Sequence, residues 1–185
     1  LLSKHPQVSI EFLGSQSFAG KNINEVYQNF NHVLDLDCSE LDLDKISKCD
    51  VAFTALPHGA SKTVIPDLIK AGLKVIDLSG DFRYDDPKVY EEWYGQPHSS
   101  PELLKESVYG LCELHRDKIK SARLIGNPGC YTTCSILGAY PLLANKIADT
   151  KNIIIDAKSG VTGAGRSLNL AYHFCECTEN TKAYK

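Results

Sequence analysis

Two short apolar runs, residues 50–56 (DVAFTAL) and 74–78 (KVIDL), carry bulky side chains on both faces. They flank a stretch, residues 60–71, whose apolar positions Val64, Ile65, Leu68 and Ile69 recur at helical spacing. A strand that is apolar on both faces must be covered on both, and a helix between two such strands returns the chain to the same end of the sheet. This is the pattern of a parallel sheet covered by helices, hence an α/β fold. The remaining chain fits that frame. Residues 8–13 alternate and read as a strand ending at Gly14, and residues 122–125 and 153–157 read as further strands. Residues 23–30, 42–48, 86–94 and 132–144 read as helices, and Gly72 closes the helix over 60–71.

In parallel sheets ligands bind outside the carboxyl ends of the strands. Four polar or Gly-rich turns fall there: Pro57-His58-Gly59, Ser79-Gly80-Asp81, Asn127-Pro128-Gly129-Cys130 and Ser159-Gly160. Each has a plain structural reading. Pro57-His58-Gly59 serves as a strand-to-helix turn, and Asp81 with Arg83 reads as a surface ion pair, worth little. Gly160 to Gly165, GVTGAG, lacks both the Lys-Ser/Thr ending of a phosphate loop and the GxGxxG spacing, and alone reads as a flexible loop.

The third turn carries the sharpest chemistry. Pro128 and Gly129 force a tight turn between a strand and a helix, and Cys130 falls where that helix begins. The first turn of a helix has free N–H groups and a partial positive charge. A thiol so placed is pushed toward thiolate, and the same N–H groups can hold an oxyanion formed when sulfur attacks a carbonyl. The other reading of Cys130 is a small buried hydrophobe; the strand, turn and helix favour the nucleophile. Cys134, one turn further along, is expected to be buried.

The composition excludes several classes. The 185 residues are 43% hydrophobic and 23% charged, ordinary for a globular chain. A net charge of −3 gives no reason for a nucleic-acid or membrane-surface partner, and no apolar run is long enough to span a bilayer. Seven cysteines with no CxxC pair fit reduced thiols in the cytoplasm better than a disulfide framework or a zinc site.

Five strings occur in order along nearly the whole chain: ALPHGAS (55–61), VIDLSGDFR (75–83), VYGLCEL (108–114), GNPGCYTT (126–133) and SGVTGAGR (159–166). Together they resemble the N-acetyl-gamma-glutamyl-phosphate reductase family, within the aspartate-semialdehyde dehydrogenase-like group. The resemblance implies a Rossmann-like, doubly wound NADP-binding domain over residues 1–127. Over 128–185 it implies the start of an α+β catalytic and dimerisation domain, so a homo-oligomer. It implies NADPH-dependent reduction of an acyl phosphate to an aldehyde, with Cys130 as nucleophile. Pro57, His58, Gly59, Ser159, Gly160 and Gly163 match turns along the cofactor or the cleft, and Tyr184 matches a tyrosine that precedes the family's catalytic His segment. Thr132 and Cys112 stand where the family has Pro. The family's opening strand and GxxGxxG loop would precede Leu1, and its catalytic His would follow Lys185, so the chain reads as an internal portion of a longer enzyme.

The second strand of a dinucleotide-binding sheet usually ends in an acid that holds the ribose of NAD. Here residues 8–13 run into Gly14-Ser15-Gln16-Ser17 with Lys21 nearby, which suits a 2′-phosphate, so Ser15 is a candidate NADP contact. Three rival readings remain: a related acyl-phosphate reductase acting on aspartyl or aminoadipyl phosphate, a phosphorylating aldehyde dehydrogenase of the glyceraldehyde-phosphate type, and a non-catalytic nucleotide-binding module.

Overall fold

The two apolar runs lie side by side as parallel strands. In the computed structural model, which describes residues 1–183, β3 (Val51–Thr54) and β4 (Lys74–Asp77) pair in register, Thr54 opposite Asp77. β4 pairs in turn with β6 (Leu124–Gly126), and β6 with β5 (Val108–Tyr109), all parallel, in the order β3-β4-β6-β5. A separate parallel pair joins β1 (Leu13–Gly14) to β2 (Cys38–Ser39). The chain divides into two compact units, Leu1–Gly129 and Cys130–Lys185.

In the first unit the helices are α1 (Ile23–Val26), α2 (Leu43–Ile46), α3 (Ser61–Lys70), α4 (Pro87–Tyr94), α5 (Pro101–Glu106) and α6 (Cys112–Ser121). Their ends follow local chemistry. Asn22, Asp42 and Asp86 accept N-terminal amides of α1, α2 and α4 through their side chains. Gly95 takes a φ of 67° to stop α4, a conformation that favours glycine. The core gathers Ile65, Leu68 and Ile69 of α3 with Val75 of β4, Leu124 of β6, Phe82, Tyr90 and Leu104. Each such side chain contributes about 1.5–3 kcal/mol by leaving water.

Helix α3 contains Pro66, whose missing N–H leaves the carbonyl of Lys62 without its helical partner. Ser99 and Ser100 replace it, their hydroxyls donating to that oxygen at 3.1 and 3.3 Å. The proline thus creates an acceptor that ties the loop before α5 to α3. Replacing both serines by alanine is expected to cost about 1 kcal/mol in denaturant unfolding. In a background where Pro66→Ala restores the helical donor, the cost should shrink.

Three expectations are corrected. The strand over 8–13 is paired only at Leu13–Gly14, because β2 offers it two residues of ladder. The strand over 153–157 does not form: the second unit has no strand among the described residues to pair with it, and Ile154 is 96% exposed. Cys134 is exposed, because no described residue of α7 (Cys130–Ala144) is buried. The rest of the second unit is short: 3-10 turns at Val161–Ala164 and Leu170–Tyr172, and α8 (Phe174–Cys177). Helix α5 had no counterpart in the sequence reading; Pro at its first position is the signal that could have found it.

Candidate active site

Asp77 ends β4 inside the protein, where an ionisable group must be fully hydrogen-bonded. Its Oδ1 accepts from the hydroxyls of Thr54 (2.8 Å) and Ser61 (2.9 Å) and from the Ser79 amide (3.2 Å), and its Oδ2 accepts from the Ser79 hydroxyl (2.6 Å). One carboxylate therefore joins the ends of β3 and β4 and the start of α3.

Asp81, four residues on, is a second buried hub. Its Oδ1 accepts from the Gly59 amide (2.9 Å), His58 Nδ1 (3.0 Å) and the Tyr90 hydroxyl (3.2 Å), and its Oδ2 from the Lys62 amide (3.2 Å). The Asp81 carbonyl accepts from His98 Nε2 at 3.0 Å, while His98 Nδ1 accepts the Ser100 amide. Burial pushes the His98 imidazole down from its ordinary value, in keeping with a neutral ring bonded at both nitrogens. Burial, with Asp81 next to it, raises the Tyr90 phenol well above its usual range. Asp81 is no surface partner of Arg83. The Arg83 guanidinium donates to the backbone carbonyls of Asn127 (2.8 Å) and Leu78 (3.1 Å), joining the turns after β4 and β6.

The turn that leads to Cys130 is built with little room. A Cβ on Gly126 would lie 2.0 Å from the Phe82 carbonyl oxygen, so only glycine lets β6 approach the 79–83 loop this closely. The Asn127 amide donates to the Asp77 carbonyl at 2.8 Å. Pro128 and Gly129 follow, and Cys130 is the first residue of the 15-residue helix α7, with an exposed side chain. A thiol at the start of a long helix lies beside the positive end of the helix dipole.

The structure brings Pro57, His58 and Gly59 to the carboxyl end of β3, next to Ser79-Gly80-Asp81. Pro57 is exposed, and Gly59 takes a φ of 85°. The Gly59 N–H is already given to Asp81, so this amide is not free for a phosphate. Ser15 follows β1: its amide donates to the Ser39 carbonyl and its hydroxyl oxygen accepts the Phe18 amide, which leaves the hydroxyl proton to donate. Ser159, Gly160 and Gly163 are exposed in the second unit, where Gly163 donates its amide to the Gly160 carbonyl. A Cβ on Gly163 would come within 2.5 Å of the Ser159 hydroxyl, so Gly163 allows this loop to close on itself. Tyr184 lies outside the described residues. The sequence reading missed Asp77 and took Asp81 for a surface ion-pair partner; an acid closing an apolar strand, Asp77, and one beside Gly80, Asp81, were the available signals.

Residues 1–122 match the family described as "Semialdehyde dehydrogenase, NAD binding domain", and residues 130–185 match "Semialdehyde dehydrogenase, dimerisation domain". All 185 residues align at 57% identity with the N-acetyl-gamma-glutamyl-phosphate reductase of Acetivibrio thermocellus and at 50% with that of Syntrophobacter fumaroxidans. In each case the chain spans 54% of the relative's length. Among solved structures, an aspartate semialdehyde dehydrogenase II from Vibrio cholerae superposes over 74% of this chain and 38% of its own, with a TM-score of 0.52 at 20% identity, a likeness of fold.

Proposed function

This chain belongs to the semialdehyde dehydrogenase family, and from that membership we propose that the complete protein reduces N-acetyl-glutamyl 5-phosphate to the 5-semialdehyde, with release of phosphate, in arginine biosynthesis. The observation that carries the reading is Cys130 at the start of α7, delivered by a turn that Gly126, Arg83 and Asn127 fix to the sheet.

Cys130 attacks the acyl carbon as thiolate; the carbon–oxygen bond to phosphate breaks, phosphate leaves with that electron pair, and a thioester remains on sulfur. The positive end of the α7 dipole favours the oxyanion that forms in this step. When bound, the nicotinamide supplies the hydride that reduces the thioester. Collapse of the resulting tetrahedral oxyanion expels Cys130 as thiolate and frees the aldehyde. The proton transfers need a general acid/base, which we assign to the part of the protein that follows Lys185.

We assign the cofactor to the carboxyl edge of the first unit, with Pro57, His58 and Gly59 and with Ser15, and we keep Ser159, Gly160 and Gly163 as candidate cofactor residues. The functional boundary is taken at 127/128. The fit of NADP rests on the end of β1, where Gly14-Ser15-Gln16-Ser17 carries a free hydroxyl proton and no acid. The dimerisation segment supports an oligomer, which we take to be a dimer or tetramer, and the seven free thiols support our placing the protein in the cytoplasm. Titration of the complete protein should give tighter binding of NADPH than of NADH, by about tenfold or more if the 2′-phosphate meets charged or hydroxyl donors. Equal or tighter NADH binding would remove the assignment of Ser15.

A further inference from the structure

The His58 ring is fixed on several sides. Its Nδ1 lies 3.0 Å from Asp81 Oδ1, its plane lies 3.9 Å from the Tyr94 ring between centroids, and Gly80 has no side chain to displace it: a Cβ there would be 3.0 Å from His58 Nδ1. Asp81 receives donors only, from Gly59, Lys62 and Tyr90. A carboxylate that accepts from every neighbour requires His58 Nδ1 to donate as well. A neutral imidazole with its proton on Nδ1 has a lone pair on Nε2. That nitrogen makes no hydrogen bond among the described residues, and the side chain remains 36% exposed at the carboxyl edge of β3.

We propose that Asp81 is a positioning residue that acts through His58, holding the imidazole in its Nδ1–H form so that Nε2 accepts a hydrogen bond from a donor of the bound nicotinamide nucleotide, a ribose hydroxyl or the carboxamide N–H. The inference rests on the first unit being a nicotinamide-nucleotide-binding domain. A bare His in the turn would present either tautomer. The buried carboxylate makes it an acceptor before the ligand arrives, which is the pre-organisation that lowers the cost of binding.

The test uses the complete protein, titrated with NADPH, with thermal unfolding of each variant alongside. In His58→Gln the side-chain amide reaches the place of Nε2; in His58→Asn it reaches only the place of Nδ1 and can keep the Asp81 bond. The Gln variant should bind NADPH within about threefold of wild type, and the Asn variant about three- to tenfold more weakly while keeping the wild-type unfolding temperature. Asp81→Asn, where it folds, should weaken binding in wild type but add nothing on top of His58→Asn. Repeating the titration with the 3-acetylpyridine analogue, which has no carboxamide N–H, identifies the donor. A penalty that persists for His58→Asn assigns the ribose hydroxyl; one that disappears assigns the carboxamide. Wild-type affinity in the Asn variant with weakened affinity in the Gln variant would show that His58 serves Asp81 only structurally and would overturn the proposal. If wild type binds neither NADPH nor NADH, the nucleotide reading itself fails and His58 has no such role.

Discussion

Cys130→Ser is expected to keep the fold and abolish phosphate-dependent turnover. The side chain is exposed at the first position of α7, so exchanging sulfur for oxygen disturbs no packing among the described residues. The chemistry responds differently. A serine hydroxyl is a weak nucleophile unless a base removes its proton. Far-ultraviolet circular dichroism and unfolding temperature should match wild type, while the rate of NADP reduction with N-acetyl-glutamate semialdehyde and phosphate falls to background. Alkylation of the wild type near neutral pH should modify Cys130 first and be slowed by substrate. Of the other exposed thiols, Cys134 and Cys175 lie inside helices, and Cys112 opens α6, which leaves helical geometry after one turn at His115 (φ −124°, ψ 21°). Normal turnover in the serine variant would end the thioester mechanism.

Gly126→Ala should damage the protein more than the same change at Gly80 or Gly110, where the added Cβ meets a side chain first. The new Cβ would meet the Phe82 carbonyl oxygen at 2.0 Å and its carbon at 2.6 Å, and both belong to backbone. No rotamer change relieves such a contact; β6 must withdraw from the 79–83 loop. That movement would strain the Gly126 pairing with Asp77 in β4, the Asn127-to-Asp77 backbone bond and the Arg83 contacts that hold the turn before Cys130. A loss of about 3 kcal/mol or more is expected, the upper range for overpacking. Chemical denaturation of the complete protein measures it. An unchanged midpoint with unchanged turnover would show that the turn does not depend on this close approach.

The elements that were legible share one property: their pattern and their partners lie close together in the sequence. The runs at 50–56 and 74–78 with the helix between them gave β3, α3 and β4, because one right-sized helix brings the two strands together. The stretch at 153–157 has the same β-branched composition, yet composition gives only the capacity for a strand. The ladder needs an edge, and the described residues of the second unit contain none. The place of Cys130 at the start of α7 was legible because a Pro-Gly turn between strand and helix is a local feature. The Asp81 hub was not. It arises from the register of β3 on β4, Thr54 against Asp77, which places Pro57-His58-Gly59 beside Ser79-Gly80-Asp81 across 22 residues of sequence between Gly59 and Asp81. Read along the chain, Asp81 and Arg83 look like neighbours of opposite charge. In the fold each turns to a different task, one holding the start of α3 and the other the turn after β6.

The central claim is that a thioester forms on Cys130. Incubating the complete protein with N-acetyl-glutamyl phosphate in the absence of NADPH, followed by acid quench, digestion and mass spectrometry, reads it directly. The account predicts an N-acetylglutamyl adduct on the peptide that holds Cys130, lost on addition of NADPH. An adduct on another residue, or none while turnover proceeds, would contradict it.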